Sequence, residues 1–206
     1  MDGRPVRAAP GTKILWAALD AGIYIPHLCA IREAKQPFAA CRLCLVEVEG
    51  HPDLVAACAE PVAEGMAVRI DTPRVARVRR TAFELLMSNH PLVCATCPAN
   101  ATCALQDIAR ALGLKVKQKR FKALPRTYQV DESHPLIRYD PNLCVLCGKC
   151  VWVCNERGAG ALNFAFRGMS TVVSTFGGDS LKDARCDSCG QCVAICPVGA
   201  LRLKKS

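Results

Sequence analysis

Leu143–Asn155 reads L-C-V-L-C-G-K-C-V-W-V-C-N, and Arg185–Pro197, 42 residues further on, reads R-C-D-S-C-G-Q-C-V-A-I-C-P. Each copy spaces its thiols C-x2-C-x2-C-x3-C: Cys144, Cys147, Cys150 and Cys154, then Cys186, Cys189, Cys192 and Cys196. Two copies are too few for a solenoid, so the repeat points to a pseudo-twofold pair. Three thiolates in one tight loop can wrap three corners of a cubane, while the fourth lies a helical turn on and points to the neighbouring site. The spacing therefore assigns Cys144, Cys147, Cys150 and Cys196 to one [4Fe–4S] centre. Cys186, Cys189, Cys192 and Cys154 go to the other.

This is the bacterial ferredoxin run, with the usual C-P ending at Pro197 and a departure from it at Asn155. Gly148 and Gly190 follow the second cysteine of each copy, where a missing Cβ lets backbone approach a cluster. Zinc is the alternative ligand, but zinc has no need of a seven-residue loop carrying three cysteines.

The chain holds 15 cysteines in 206 residues. A disulfide framework fares badly: the number is odd, and the C-x2-C runs are too tight for independent bridges. No secretory signal and no apolar run long enough to span a membrane are present, so a cytoplasmic location is expected. The formal net charge of +9 invites an acidic partner such as nucleic acid. Four iron–sulfur centres would add roughly −7 and leave about +2, which removes the main support for that reading.

The N-terminal third reads as a small α/β unit. Asp2-Gly3 is a type I′ hairpin signal followed by a strand at Arg4–Ala8. Thr12 is placed to cap a helix carrying Ile14, Leu15, Ala18 and Leu19 inward and stopped by Gly22. Leu43–Glu49, Leu54–Ala57 and Met66–Ile70 follow as strands. Cys29, Cys41, Cys44 and Cys58 are spaced C-x11-C-x2-C-x13-C across this unit. This is not the plant-type spacing, but a loop with a close pair, a strand and a lone distal cysteine suits a [2Fe–2S] cluster; a four-cysteine zinc site is the alternative.

Thr72-Pro73 then opens a helix to about Asn89, with Val75, Val78, Ala82, Leu85 and Leu86 expected inward. Arg74, Arg77, Arg79 and Arg80 are expected on a solvated face, with a subunit contact as the alternative. A further helix, about Thr102–Leu112, carries Leu105, Ile108 and Leu112 and ends at Gly113. Lys115–Lys122 reads as an exposed, extended linker or docking edge.

Between those helices lies H-P-L-V-C-A-T-C-P-A-N-A-T-C, His90–Cys103. By itself, one histidine with three cysteines is a common structural zinc set. The other three sites, however, use twelve of the 15 cysteines, leaving Cys94, Cys97 and Cys103 with His90 as the nearby fourth donor. In a chain built around clusters, that closure favours a third [4Fe–4S] centre. His27, His51 and His134 lie outside any ligand spacing and read as ordinary histidines.

The order of these motifs, with A-C-R-L-C-L-V-E-V (Ala40–Val48) and I-Y-I-P-H-L-C (Ile23–Cys29), resembles the cluster-bearing part of the large iron–sulfur subunit of respiratory complex I. It also resembles the same module in NAD-linked formate dehydrogenases and iron hydrogenases. Those relatives usually continue into a long further domain, and a chain stopping at Ser206 looks most like the small diaphorase subunit of bidirectional NAD(P)-linked nickel–iron hydrogenases. The resemblance implies an α+β fold in three parts. These are a β-grasp [2Fe–2S] domain (1–71), a small helical domain with one-histidine, three-cysteine ligation (72–132), and a ferredoxin-like domain with two [4Fe–4S] clusters (133–206). It further implies that the residues named above are the cluster ligands.

No dinucleotide fingerprint, Walker loop, spare cysteine for nickel or Ser/His/Asp order is evident, so no substrate-converting residues are expected here. The resemblance implies a relay between a flavin/NAD(P)(H) subunit, which splits the hydride, and a hydrogenase subunit. Its rivals are the same relay in a formate dehydrogenase, bifurcating or complex I-like assembly, and a zinc-stabilised interaction or nucleic-acid protein.

Overall fold

The computed structural model describes residues 1–175 and 180–204. Contacts divide the chain into two compact units, Met1–Leu86 with Ile108–Lys115, and Met87–Asp107 with Val116–Ser206. Among the described residues no helix is long and apolar enough to cross a membrane.

The first unit opens on the anticipated turn. Asp2 and Gly3 both take positive φ, 44° and 77°, and the Arg4 N–H closes on the Met1 carbonyl at 2.9 Å. The strand expected at Arg4–Ala8 is not formed. The chain is instead pinned at the turn itself: the Asp2 N–H donates to the Val68 carbonyl, and Asp2 Oδ1 accepts from the Ile70 N–H.

Helix α1 (Ile14–Asp20) is preceded by Lys13, which offers no side-chain cap, so Thr12 is not the cap. Its first donors are taken up by the chain around Cys58: the Ile14 N–H bonds to the Glu60 carbonyl and the Leu15 N–H to the Ala57 carbonyl. Tertiary structure thus does what a cap would do. Strand β1 (Leu45–Val48) lies between β2 (Val55–Ala56) and β3 (Val68–Arg69), antiparallel to both. The strands are shorter than expected but correctly placed. Ile14, Leu15, Ala18, Ile25, Val46, Val48, Ala57 and Val68 form one core with Cys44 and Cys58 in it. Each large aliphatic side chain there contributes about 1.5–3 kcal/mol.

Helix α2 (Pro73–Ser88) is capped as expected, Thr72 Oγ1 accepting from the Val75 N–H at 3.2 Å. Its inward stripe differs from the expected one. Val75, Arg79 and Phe83 are buried, one turn apart, whereas Leu85 is 48% exposed. The arginine-rich face is therefore not wholly solvated: Arg74, Arg77 and Arg80 are exposed, but Arg79 is inside. Helix α3 (Ala104–Ala111) buries Leu105, Ile108 and Ala109 and closes at Gly113, with the Leu114 N–H on the Ala109 carbonyl. Lys115–Lys122 forms neither helix nor strand.

The second unit carries the sequence repeat. Strand β4 (Ile137–Tyr139) leads through a 3-10 turn, Pro141–Leu143, into the first cysteine loop and helix α4 (Lys149–Glu156). A hairpin follows, β5 (Asn163–Ala165) with β6 (Val172–Ser174). The second loop leads into α5 (Gln191–Ile195) and then β7 (Leu201–Leu203), which pairs antiparallel with β4. Helices α4 and α5 pack against each other, as a duplicated unit should. The Tyr139 hydroxyl donates to the Val173 carbonyl at 2.8 Å and ties β4 to the hairpin.

Candidate metal centres

All 15 cysteines are free thiols, with no disulfide among them. Cys29, Cys41, Cys44 and Cys58 are all buried, on the loops after α1, before β1 and after β2. Two non-glycine residues in the connecting loop, Ala39 and Arg42, hold left-handed φ of 47° and 56°, a strained winding concentrated beside the thiols. The thiols are set as two pairs, with Cys29 hydrogen-bonded to Cys41 and Cys44 to Cys58. Within each pair the shared proton divides the two groups. Cys41 and Cys44 are drawn below the ordinary thiol range by their partners, while Cys29 and Cys58 are driven above it by the same bonds and by burial.

The four thiols also act on one another across the pairs, as four donors of one centre do, and a [2Fe–2S] cluster takes four thiolates. Among the described residues, no three or more His, Cys, Asp or Glu side chains are gathered as ligands of a single metal ion are.

In the second unit both cysteine loops adopt one conformation. Leu146 and Gly148 have φ of 53° and 79°, and Ser188 and Gly190 have φ of 60° and 70°. Each glycine stands at the head of its helix in the left-handed region. A Cβ on Gly190 would meet nothing within 4 Å, so backbone conformation suffices to explain that residue.

Cys144, Cys147, Cys150 and Cys196 line one small cavity closed by Tyr139 and Val173. Burial, then the neighbouring thiols, pushes Cys147 up to about 12, and the Cys196 charge is felt by Cys144, Cys147 and Cys150 alike. In the other set, burial followed by Cys186, Cys154 and Cys189 pushes Cys192 up to about 12. Cys196 of the second run thus lies with the three thiols of the first run's loop. The Leu146 N–H already donates to Cys144 Sγ at 3.4 Å.

His90 directly follows α2 and starts a loop of successive turns: the Cys97 N–H bonds to the Cys94 carbonyl, and the Asn100 N–H to the Cys97 carbonyl. Gln106 clamps its far end, accepting from the Ala101 N–H and donating to Asn100 Oδ1. Burial raises the Cys103 thiol, with Cys97 and Cys94 as the neighbouring thiols acting on it. Burial also holds the His90 imidazole below its ordinary range, against a hydrogen bond to the backbone of Leu143 that acts the other way. Its Nδ1 is buried with no hydrogen-bond partner among the described residues. An imidazole held by a backbone group on one side and open on the other is disposed as the ring of a metal-ligating histidine is.

His27 and His134 engage nearby backbone. His27 Nδ1 lies 2.8 Å from the Ile25 carbonyl. His134 is buried: its Nδ1 accepts from the Leu136 and Ile137 N–H groups at 3.1 Å, leaving Nε2 to face Ser188 Oγ at 3.3 Å. Sequence reading missed Tyr139 at the first ferredoxin site, His134 behind the second and Arg79 near Cys44. Only the one-turn spacing of Arg79 from Val75 and Phe83 could have signalled any of them.

Two ferredoxin-type cysteine loops, a paired-thiol site and a histidine–cysteine loop define a multi-cluster iron–sulfur electron-transfer protein. Three family models match in series: a 2Fe-2S iron-sulfur cluster binding domain over residues 1–73, the NADH-ubiquinone oxidoreductase-G iron-sulfur binding region over 79–118, and the ferredoxin-like domain of NADH-quinone oxidoreductase subunit 3 over 134–202. A chain of the NAD+-reducing [NiFe]-hydrogenase crystal structure in the H2-reduced state superposes with a TM-score of 0.90 and 36% identity, covering 98% of this chain and 85% of that one.

NADPH-Fe(3+) oxidoreductase subunit alpha of Geobacter sulfurreducens is 39% identical over 202 residues, 98% of this chain and 23% of that protein. NADP-reducing hydrogenase subunit HndD of Solidesulfovibrio fructosivorans is 37% identical over 206 residues, 98% of this chain and 35% of that protein. The chain thus spans about a quarter to a third of these two relatives. It belongs to the family of iron–sulfur subunits shared by the NADH-quinone oxidoreductases and the NAD(P)-linked hydrogenases.

Proposed function

We propose that this chain is an electron relay with one [2Fe–2S] centre on Cys29, Cys41, Cys44 and Cys58 and three [4Fe–4S] centres. The latter take His90, Cys94, Cys97 and Cys103; Cys144, Cys147, Cys150 and Cys196; and Cys154, Cys186, Cys189 and Cys192. The observation that carries the reading is the complete division of 15 cysteines and His90 into four sets of four, supported by Cys196 lining one cavity with Cys144, Cys147 and Cys150 of the other run. The orphaned Nδ1 of His90 supports its place as the only non-thiol ligand.

When bound, such clusters supply one-electron carriers. The chain's own residues hold them through thiolate and imidazole donors and bury them. N–H groups such as that of Leu146 are aimed at the sulfurs. Chemistry on pyridine nucleotide and on the terminal substrate is left to partner chains: a flavin/NAD(P)(H) subunit on one side and a hydrogenase subunit on the other, in a cytoplasmic complex. Similarity to a chain of an NAD+-reducing hydrogenase over 98% of this sequence supports that pairing.

Metal and sulfide analysis tests the cluster content, with about 14 iron atoms per chain and matching sulfide expected. A colourless, zinc-loaded protein would end the reading. Co-purifying subunits test the partners. A nickel-binding chain is expected, and a molybdopterin-binding one would place the same relay in a formate dehydrogenase instead.

A further inference from the structure

We infer that Arg79 is the built-in counter-charge of the Cys29–Cys58 centre and sets its reduction potential above that of the same cluster without it. The inference rests on the [2Fe–2S] reading of Cys29, Cys41, Cys44 and Cys58.

Arg79 is 6% exposed, on the inward stripe of α2 between Val75 and Phe83. Its Nη2 donates to the carbonyl of Leu45, the residue after Cys44, at 2.9 Å. Its Nε is also buried and has no hydrogen-bond partner among the described residues. Among those residues no carboxylate forms an ion pair with it. The leading favourable charge it feels is that of Cys44, ahead of Asp71 and Asp2. A guanidinium stays protonated under all relevant conditions, so the interior holds a fixed positive charge bonded to the backbone immediately after Cys44, a proposed iron ligand. Left alone, a buried and unpaired ion is strongly destabilising.

The centre supplies the missing charge. Four thiolates, two ferric ions and two sulfides sum to about −2, and reduction adds one electron to give about −3. No proton is needed from Arg79, which remains cationic in both states. A fixed positive charge in a medium of low effective dielectric stabilises the more negative reduced form further, so the potential rises. The three exposed arginines of the same helix, Arg74, Arg77 and Arg80, are screened by water and cannot act in this way.

The test is a redox titration of the full chain, following the electron paramagnetic resonance signal of the reduced [2Fe–2S] centre in the parent and in Arg79→Gln, Arg79→Lys and Arg77→Gln. Arg79→Gln is expected to lower the equilibrium constant for one-electron reduction at least tenfold, about 59 mV more negative. Arg79→Lys should stay within threefold of the parent, Arg77→Gln should match it, and the [4Fe–4S] signals should not move. An unchanged potential in Arg79→Gln, or an equal shift in Arg79→Lys, overturns the inference, because the effect would then not be one of charge. Should Arg79→Gln fail to retain the centre, iron and sulfide content decides. Retention by the lysine variant alone supports the counter-charge, and loss in both overturns it. A parent protein lacking the [2Fe–2S] signal would instead sink the ligand assignment itself.

Discussion

The N–H of Ala104, the residue after Cys103, donates to the carbonyl of Pro197, the residue after Cys196, across 3.0 Å. This bond joins the end of the histidine–cysteine loop to the end of the second ferredoxin run. A second contact lies two residues away. A Cβ built on Gly199 would stand 3.1 Å from Ala99 Cβ and 3.6 Å from Cys97 Sγ. The two loops therefore meet at van der Waals distance, and a glycine is what allows it.

Replacing Gly199 with Ala should force the Cys94–Cys103 loop back by a few tenths of an ångström. The expected cost is about 1 kcal/mol of stability, typical of mild overpacking. Chemical denaturation measures it, and the spectrum of the His90-ligated centre should change while the [2Fe–2S] signal does not. A variant as stable as the parent with unaltered spectra would show that the approach is slack.

His90→Ala removes the sole imidazole of its set and should cost one [4Fe–4S] signal, with iron falling by about four per chain. His90→Cys should keep the iron and change the spectrum, because a thiolate adds negative charge where a neutral ring stood. Unchanged iron and spectra in His90→Ala would remove His90 from the ligand set.

The crossed assignment makes opposite predictions for two serine variants. Cys196→Ser should perturb the centre held by Cys144, Cys147 and Cys150, and Cys154→Ser the one held by Cys186, Cys189 and Cys192. Isotope-edited spectroscopy with selectively labelled cysteines reads which loop responds. A response confined to the mutated run in each case would mean uncrossed sites.

Buried His134 fixes the backbone before β4 through two accepted N–H bonds and faces Ser188 in the second cysteine loop. His134→Ala leaves those two donors without their partner, at a cost of about 2 kcal/mol. His134→Asn, which restores an acceptor, should recover part of it. Thermal melting compares the two, and equal losses would show that ring volume, not the acceptor, matters.

How far the sequence reached depended on whether a feature is local. The C-x2-C-x2-C-x3-C runs prescribe their own loop conformation, and the left-handed φ values at Leu146, Gly148, Ser188 and Gly190 repeat it in both copies. Thr72 and Gly113 likewise end their helices as their residue types dictate. The cap expected at Thr12 failed because contacts distant in sequence, to Glu60 and Ala57, satisfied the first helical donors, and the strand expected at Arg4–Ala8 is not formed, the chain being held instead at Asp2 by Val68.

The cysteine spacings, the four candidate donor sets they suggest and the family resemblance were thus written in the chain itself, since thiolate chemistry and short-range loop geometry need no tertiary context. Tertiary structure decided how those donors are environed. It paired Cys29 with Cys41 and Cys44 with Cys58, and it left Nδ1 of His90 open. It also turned Arg79 out of a run of four similar arginines into the interior. Burial and long-range contact govern those features, and neither is a property of a residue and its immediate neighbours.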